Sequence, residues 1–207
     1  MLRRFYSRVI FPRLMDFSLN RPEVAELRKR ILAEVTGDTL EIGFGTGLNL
    51  PHYPVEIHTV SALEPNEGMN GLALRRIRDS QIEVKHLHHD GEEIPVADGS
   101  FDSVVSTWTL CSVGDPPEVL REVSRTLRPG GRFFFLEHGL AQNPRIQKWQ
   151  HRLTPINKII ADGCHLNRDI KSIVETEGLR IVRHERLNLK DAPRILGELY
   201  IGVAQKG

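Results

Sequence analysis

The chain has 207 residues, 40% of them hydrophobic and 27% charged, with a formal net charge of +1. That length suits one domain with a sizeable core, and the balanced charge gives no footing for bulk nucleic-acid binding. No apolar run approaches the ~18 residues of a membrane span. The only cysteines are Cys111 and Cys164, with no Cys-x-x-Cys pair. This speaks against a disulfide framework or a structural zinc site and fits a reducing, cytoplasmic setting.

Residues 1–36 read as an N-terminal helical cap and 37–207 as the main domain. Between residues 1 and 20, Arg3, Arg4, Arg8 and Arg13 are interleaved with aromatic and aliphatic residues. Tyr6, Val9 and Ile10 recur at helical spacing, and Pro12 is expected to interrupt the helix. Three readings stand open: a lid over a ligand site, a peripheral membrane contact, or a helix packed on the domain. The stretch lacks an apolar run ending in small residues, so a signal peptide is not expected. Asn20-Arg21-Pro22 starts a second helix that runs through Val35 and stops at Gly37.

Thr39 to Leu50, TLEIGFGTGLNL, passes from a short apolar strand into a glycine-rich turn, with Glu41, Gly43, Gly45 and Gly47 forming Glu-x-Gly-x-Gly-x-Gly. Such a turn lets backbone approach a ligand closely, and a helix from Leu48 would aim free N–H groups into the same crevice. A side chain at Gly43 or Gly45 would fill the ligand's space. The dinucleotide fingerprint G-x-G-x-x-G fails here, because Leu48 takes its third glycine position. Glu41 would repel a pyrophosphate and attract an ammonium group, which disfavours a nicotinamide dehydrogenase. Glu56 to Leu63 reads as the next strand, ending in Glu64-Pro65-Asn66. Glu64 stands about where a nucleotide-binding βαβ unit places its ribose-binding acid.

A helix from Gly68 to Asp79 and a strand from Ile82 to His88 follow. His86, His88 and His89 read as a solvated strand face, and no metal site is expected. Asp90 and Gly91 come after this strand, where a carboxylate can accept from an exocyclic amine. The strand Phe101 to Thr107 leads to Trp108, Thr109, Leu110 and Cys111, at the edge where an open α/β sheet keeps its ligand crevice. Then come a helix from Pro116 to Leu127, the turn Arg128-Pro129-Gly130-Gly131, and the strand Arg132 to Glu137 with His138 just beyond it. Trp149 to Ile160 suggests a helix broken at Pro155. Asp162 to Leu166 reads as a loop and Arg168 to Glu177 as a helix. Leu179–Leu187 and Ile195–Ala204 read as a final antiparallel pair.

Strand and helix alternate throughout, which predicts an α/β doubly wound sheet. TLEIGFGTG, LEPN, HDGEEIPVADGSFDSVV and LREVSRTLRPGGRFFFLEH, running from residue 39 to 138, together resemble the class I S-adenosylmethionine-dependent methyltransferases. The resemblance implies a Rossmann-like seven-stranded sheet with a reversed C-terminal hairpin and adenosylmethionine as cofactor. It places the methionine moiety at Glu41, Gly43, Gly45 and Gly47, the ribose hydroxyls at Glu64 beside Pro65 and Asn66, and the adenine amine at Asp90 with Gly91. Thr107 and Leu110 would line the methionine and substrate side. Trp108 and Cys164 are candidates for the acceptor pocket, and His138 for a catalytic base.

A narrower resemblance rests on TLCSVGDPPEVLREVSRTLRPGG, EHG, Trp149-Gln150 and DGCHLNR. These segments are similar to small animal methyltransferase-like proteins that methylate alkyl thiols at the endoplasmic reticulum surface. Their hydrophobic N-terminal anchor has no counterpart in the basic stretch at 1–20. The core also resembles phospholipid and ubiquinone/menaquinone methyltransferases. A small-molecule acceptor follows, with a thiol, a phospholipid or a quinone all open, beside a non-catalytic adenosylmethionine binder.

Overall fold

The computed structural model describes residues 5–87 and 93–207. Asp90, Gly91, His88 and His89 lie outside the described residues. Seven strands form one sheet: β1 (Thr39–Ile42), β2 (Thr59–Leu63), β3 (Glu83–Leu87), β4 (Phe101–Thr107), β5 (Leu127–His138), β6 (Leu179–Asn188) and β7 (Glu198–Lys206). Their order is β3-β2-β1-β4-β5-β7-β6. The first five strands run parallel, and β7 is antiparallel to both β5 and β6. The expected doubly wound sheet with a reversed hairpin is therefore present.

The central strands read as continuous apolar runs because helices cover both faces of the sheet. In β5 the consecutive phenylalanines point alternately to opposite sides. Phe133 and Phe135 join the cluster of Leu40, Leu120 and Val123, while Phe134 joins Ile31, Val105 and Val203. Each is fully buried, which stabilises by about 1.5–3 kcal/mol per side chain. Helix α1 (Phe11–Leu19) belongs to the N-terminal cap, and α2 (Pro22–Leu32) packs beneath β5. The others are α3 (Glu67–Asp79), α4 (Pro116–Thr126), α5 (Pro144–Ile160) and α6 (Ile170–Thr176). Asn66, Asp115, Asn143 and Asp169 cap α3 to α6 with side-chain oxygens that accept from backbone N–H groups of the first turn.

The structure corrects several local expectations. Pro155 does not break α5. Pro155 and His151, whose carbonyl loses its helical donor, are both exposed, so solvent satisfies the missing bond. Pro12 does not interrupt the N-terminal helix either; it stands where α1 begins, and the Ser7 carbonyl five residues back accepts from Asn66 Nδ2 at 3.0 Å instead. A π-helical turn, Tyr6–Ile10, leads directly into it. No helix starts at Leu48; a single 3-10 turn, Leu50–His52, stands there with Pro51 inside it. Glu41 lies in β1 and not in the turn, and His138 is the last residue of β5, paired with Leu199.

Sheet order reverses between β1 and β4, and the carboxyl ends of β1, β2 and β4 are level: Ile42 pairs with both Leu63 and Ser106. In an open α/β sheet this switch point holds the ligand crevice. At the other side of the core, Gly202 in β7 meets the ring of Phe135. A Cβ there would come 2.4 Å from Phe135 Cζ and 2.8 Å from the Arg183 carbonyl oxygen. Gly202→Ala should therefore overpack the hairpin and cost about 1–3 kcal/mol. A urea melt showing no loss would mean that the hairpin yields freely.

Candidate active site

A cavity of about 470 Å³ opens at the carboxyl ends of β1, β2 and β4. Glu41, Gly43, Gly45, Glu64, Pro65, Asn66, Thr107, Trp108 and Cys164 all line it. Three residues do not. Leu110 is fully buried in the core. Gly47 turns toward Leu50 and Phe44, whose side-chain atoms a Cβ there would touch at 3.4 Å. His138 is buried and its Nδ1 faces the sulfur of Cys164 at 3.6 Å.

The glycines of the turn have separate causes. Gly45 has φ +57°, and a Cβ would project into open cleft with only the Gly43 carbonyl within 4 Å. Gly43 lines the cavity too, but there a Cβ would lie 1.9 Å from Thr109 Oγ1, so packing and not a ligand forbids the side chain. The N–H groups of Gly43 and Phe44 both donate to the Leu63 carbonyl, which ties the turn to the end of β2.

Glu41 does not project freely toward a ligand. Its Oε1 accepts from Asn49 Nδ2 at 2.8 Å and its Oε2 from the Tyr53 hydroxyl at 2.6 Å. Asn49 Oδ1 accepts from Arg28 Nη1 at 2.6 Å, and Thr107 Oγ1 accepts from both Arg28 and Asn49 at 3.1 Å. Burial pushes the Glu41 carboxyl up to about 7, against the hydrogen bonds of Tyr53 and Asn49 and the charge of Arg28. Burial likewise pulls the Arg28 guanidinium down to about 10, opposed by Glu41. Arg28, Asn49 and Tyr53 carry no sequence motif; their roles appear only when α2 and the 3-10 turn are packed against β1.

Glu64 uses both oxygens locally. Oε2 accepts from the Gly45 N–H and Oε1 from the Asn66 N–H, each at 2.8 Å. Burial raises its carboxyl above the usual range, opposed by those two N–H groups. Each oxygen keeps a lone pair for a further donor. A second buried carboxylate, Glu137, was not foreseen. It accepts from Ser106 Oγ, Thr109 N and Cys111 N at 2.7, 3.0 and 3.3 Å, and so fixes the turn after β4. That turn is strained: Trp108 has φ +54°, and its ring stacks under the Arg28 guanidinium. Non-glycine residues held at such angles concentrate at functional sites.

Cys111 and Cys164 stand together on the cavity wall. A hydrogen bond between the thiols holds Cys164 below its usual range and Cys111 well above, with burial adding to the rise at Cys111. The N-terminal cap lies across the mouth. Phe11, Met15 and Leu19 line the cavity. Ser7 donates to Asp162 at 2.6 Å, Tyr6 to the Ile160 carbonyl at 2.6 Å, and Asp16 accepts from Thr46 at 2.6 Å and pairs with Arg76 at 2.7 Å. The outer face leaves Phe5, Leu14 and Phe17 exposed, the last at 83%.

Known proteins fit this arrangement. Residues 40–135 match the family model "Methyltransferase domain". The ubiquinone/menaquinone biosynthesis C-methyltransferase UbiE of Hahella chejuensis is 30% identical over 205 residues, covering 84% of this chain and 79% of that protein. The chain belongs to the class I S-adenosylmethionine-dependent methyltransferases. The thiol S-methyltransferase TMT1B of Rattus norvegicus is 40% identical over 66% of this chain and 57% of its own length. This methyltransferase thus spans little more than half the length of that relative. A Thermotoga maritima structure described as a SAM-dependent methyltransferase, possibly a histamine N-methyltransferase, superposes over 100% of both chains at 18% identity with a TM-score of 0.68; it shares the fold. The methyltransferase cleft also has room for the cofactor. Backbone is bare at Gly45, two acceptor oxygens stand at Glu64, and the cavity runs on to the cysteines. Among the described residues no helix is long and apolar enough to cross a membrane.

The buried Glu41 makes a pH prediction. Its folded-state value lies near 7, against 4.5 unperturbed, so between those limits the folded state holds more protons than the unfolded one. Stability on this account is full below pH 4.5 and is lost as pH rises toward 7. Relative to Glu41→Gln, the wild type should lose stability by about 1.4 kcal/mol per pH unit across that window. Parallel denaturation profiles for the two proteins would refute a buried titration at Glu41.

Proposed function

We propose that this methyltransferase transfers the methyl group to the sulfur of a small thiol. The observation that carries the reading is the make-up of the cleft. Among the described residues lining it there is no histidine and no lysine, and the three carboxylates, Glu41, Glu64 and Asp162, are all held in hydrogen bonds. A carbon or phenol acceptor needs a base in reach. A thiol with pKa about 8.5 is partly ionised near neutrality without one. The similarity to proteins named thiol S-methyltransferases supports the same choice.

When bound, adenosylmethionine supplies a methyl group already activated on a sulfonium. The chain's part is to align the acceptor in line and to exclude water. In this reading Gly45 leaves room for the methionine moiety, Gly43 lines the wall beside it, and Glu41 adds negative charge from behind. Glu64 receives the ribose hydroxyls on its remaining lone pairs, with Pro65 and Asn66 beside them. Asp90 and Gly91 are proposed for the adenine. Thr107 and Trp108 form the side facing the acceptor.

Purified enzyme should form S-adenosylhomocysteine with alkyl thiols and not with quinols or phosphatidylethanolamine. Turnover confined to either of the latter would replace the thiol reading. In the same preparations Glu64→Ala should weaken adenosylmethionine binding by roughly 1.5–3 kcal/mol, the range for hydrogen bonds to a charged group; unchanged affinity by calorimetry would remove Glu64 from the site.

The cap is proposed as a lid over this cleft, held by the Asp16–Arg76, Ser7–Asp162 and Tyr6–Ile160 contacts. Deleting residues 1–18 should leave a folded protein that still binds adenosylmethionine but loses most transfer to a soluble thiol. Full activity on the soluble thiol, with loss only on vesicles, would instead assign the cap and its exposed Phe5, Leu14 and Phe17 to a membrane surface.

A further inference from the structure

Cys111, His138 and Cys164 come from the turn after β4, the end of β5 and the loop after α5. One ligand atom from each lies within 4.8 Å of the others. We infer that these three side chains form a binding site for a zinc-class divalent cation, with an open fourth position facing the cleft for the acceptor thiol. This deepens the thiol reading above and rests on it.

The donor set is the first argument. Two sulfurs and one imidazole are soft-to-borderline ligands that select zinc over magnesium or calcium. Three protein ligands with a vacant fourth position is the arrangement of catalytic rather than structural zinc. Around a tetrahedral zinc, ligand-to-ligand distances of about 3.5–3.8 Å follow from the usual bond lengths. The Cys164 Sγ to His138 Nδ1 distance is 3.6 Å.

Preorganisation is the second. Each ligand is held by its backbone: Cys111 N–H donates to Glu137, the Cys111 carbonyl accepts from His165, and the Cys164 carbonyl accepts from Asn157. His138 is fixed in the β5–β7 ladder. Gly163, with φ +105°, lets the loop approach closely, since a Cβ there would lie 2.8 Å from the Ser112 carbonyl oxygen. Orientation is the third. The two cysteines line the cavity and His138 backs them. The His138 ring meets sulfur at Nδ1, and its Nε2 is buried without a hydrogen-bond partner. Its Nδ1 is therefore the ring atom turned toward the cysteines.

The chemistry balances. A thiol R–S–H binding at the fourth position gives its proton to solvent and remains as a thiolate. Its sulfur forms a bond to the methyl carbon as the sulfonium S–C bond breaks, and that electron pair returns to the cofactor sulfur. The product thioether is a weak ligand and leaves.

The test uses the full-length, reduced, metal-free protein titrated with Zn²⁺ against a chromophoric chelator. One equivalent should bind, with affinity falling at least about 100-fold, as lost ligands entail, in Cys111→Ser, Cys164→Ser and His138→Gln. Co²⁺ should give tetrahedral thiolate absorption that changes when 2-mercaptoethanol is added. Calorimetry with adenosylmethionine checks that each variant is folded, and the wild-type titration stands without them. Wild-type affinity no greater than that of the triple variant overturns the site. So does thiol methylation undiminished in metal-free enzyme, which would leave the thiol acceptor standing. Stoichiometric binding in a protein that methylates no thiol would support the site while removing the acceptor.

Discussion

The buried carboxylate of Glu41 is the constraint on which the rest of the cleft depends. A charge placed inside a protein is costly unless hydrogen bonds and an opposite charge receive it. Here Tyr53, Asn49 and, through Asn49, Arg28 do so. The consequence is architectural. Those partners come from α2 and from the 3-10 turn after the glycines, and Thr107 from the end of β4 completes the set. One residue of β1 thereby fixes the segments that flank the cleft. Losing any one partner leaves buried polar atoms unpaired, which costs more than the bond itself contributes.

Glu137 repeats the device one strand further along. Its oxygens collect the N–H groups of Thr109 and Cys111 and the hydroxyl of Ser106, and they hold a turn in which Trp108 has an angle few non-glycine residues accept. The strain at Trp108 is sustained from three directions: the Glu137 bonds, the Leu136 carbonyl that accepts its N–H, and the Arg28 guanidinium over its ring. The two buried acids thus set the positions of Thr107, Trp108 and Cys111 on the wall of the cleft.

The cap closes the remaining side by ordinary physical means. Its apolar residues, Phe11 and Met15 among them, turn inward onto the cleft. Contacts at Asp16 and Ser7 anchor it to opposite sides of the mouth. These contacts are partly buried, and Arg76 grips both oxygens of Asp16.

The sequence by itself determined the architecture and the cofactor. Alternating apolar runs and helical stretches pointed to a doubly wound α/β sheet, and the resemblance supplied seven strands with a reversed hairpin, because burial on both faces of a parallel sheet leaves an unmistakable mark on residues such as Phe133 to Phe135. The glycine turn and Glu64 stood out in the sequence because that reading depends on local spacing, and the structure sets Gly45 and Glu64 on one cavity. Local reasoning failed where packing decides. Pro155 looked like a break and is not, since the bond it forfeits faces water. Leu110 looked like a ligand residue and is core, since the turn after β4 points it under the sheet. His138 looked like a base and lies behind a cysteine. Only the tertiary structure brought Arg28, Asn49 and Tyr53 to Glu41, or set Cys111, His138 and Cys164 within reach of one another. Nothing in the spacing of those residues encodes their meeting. The paths of separate strands, loops and helices through a common core bring it about.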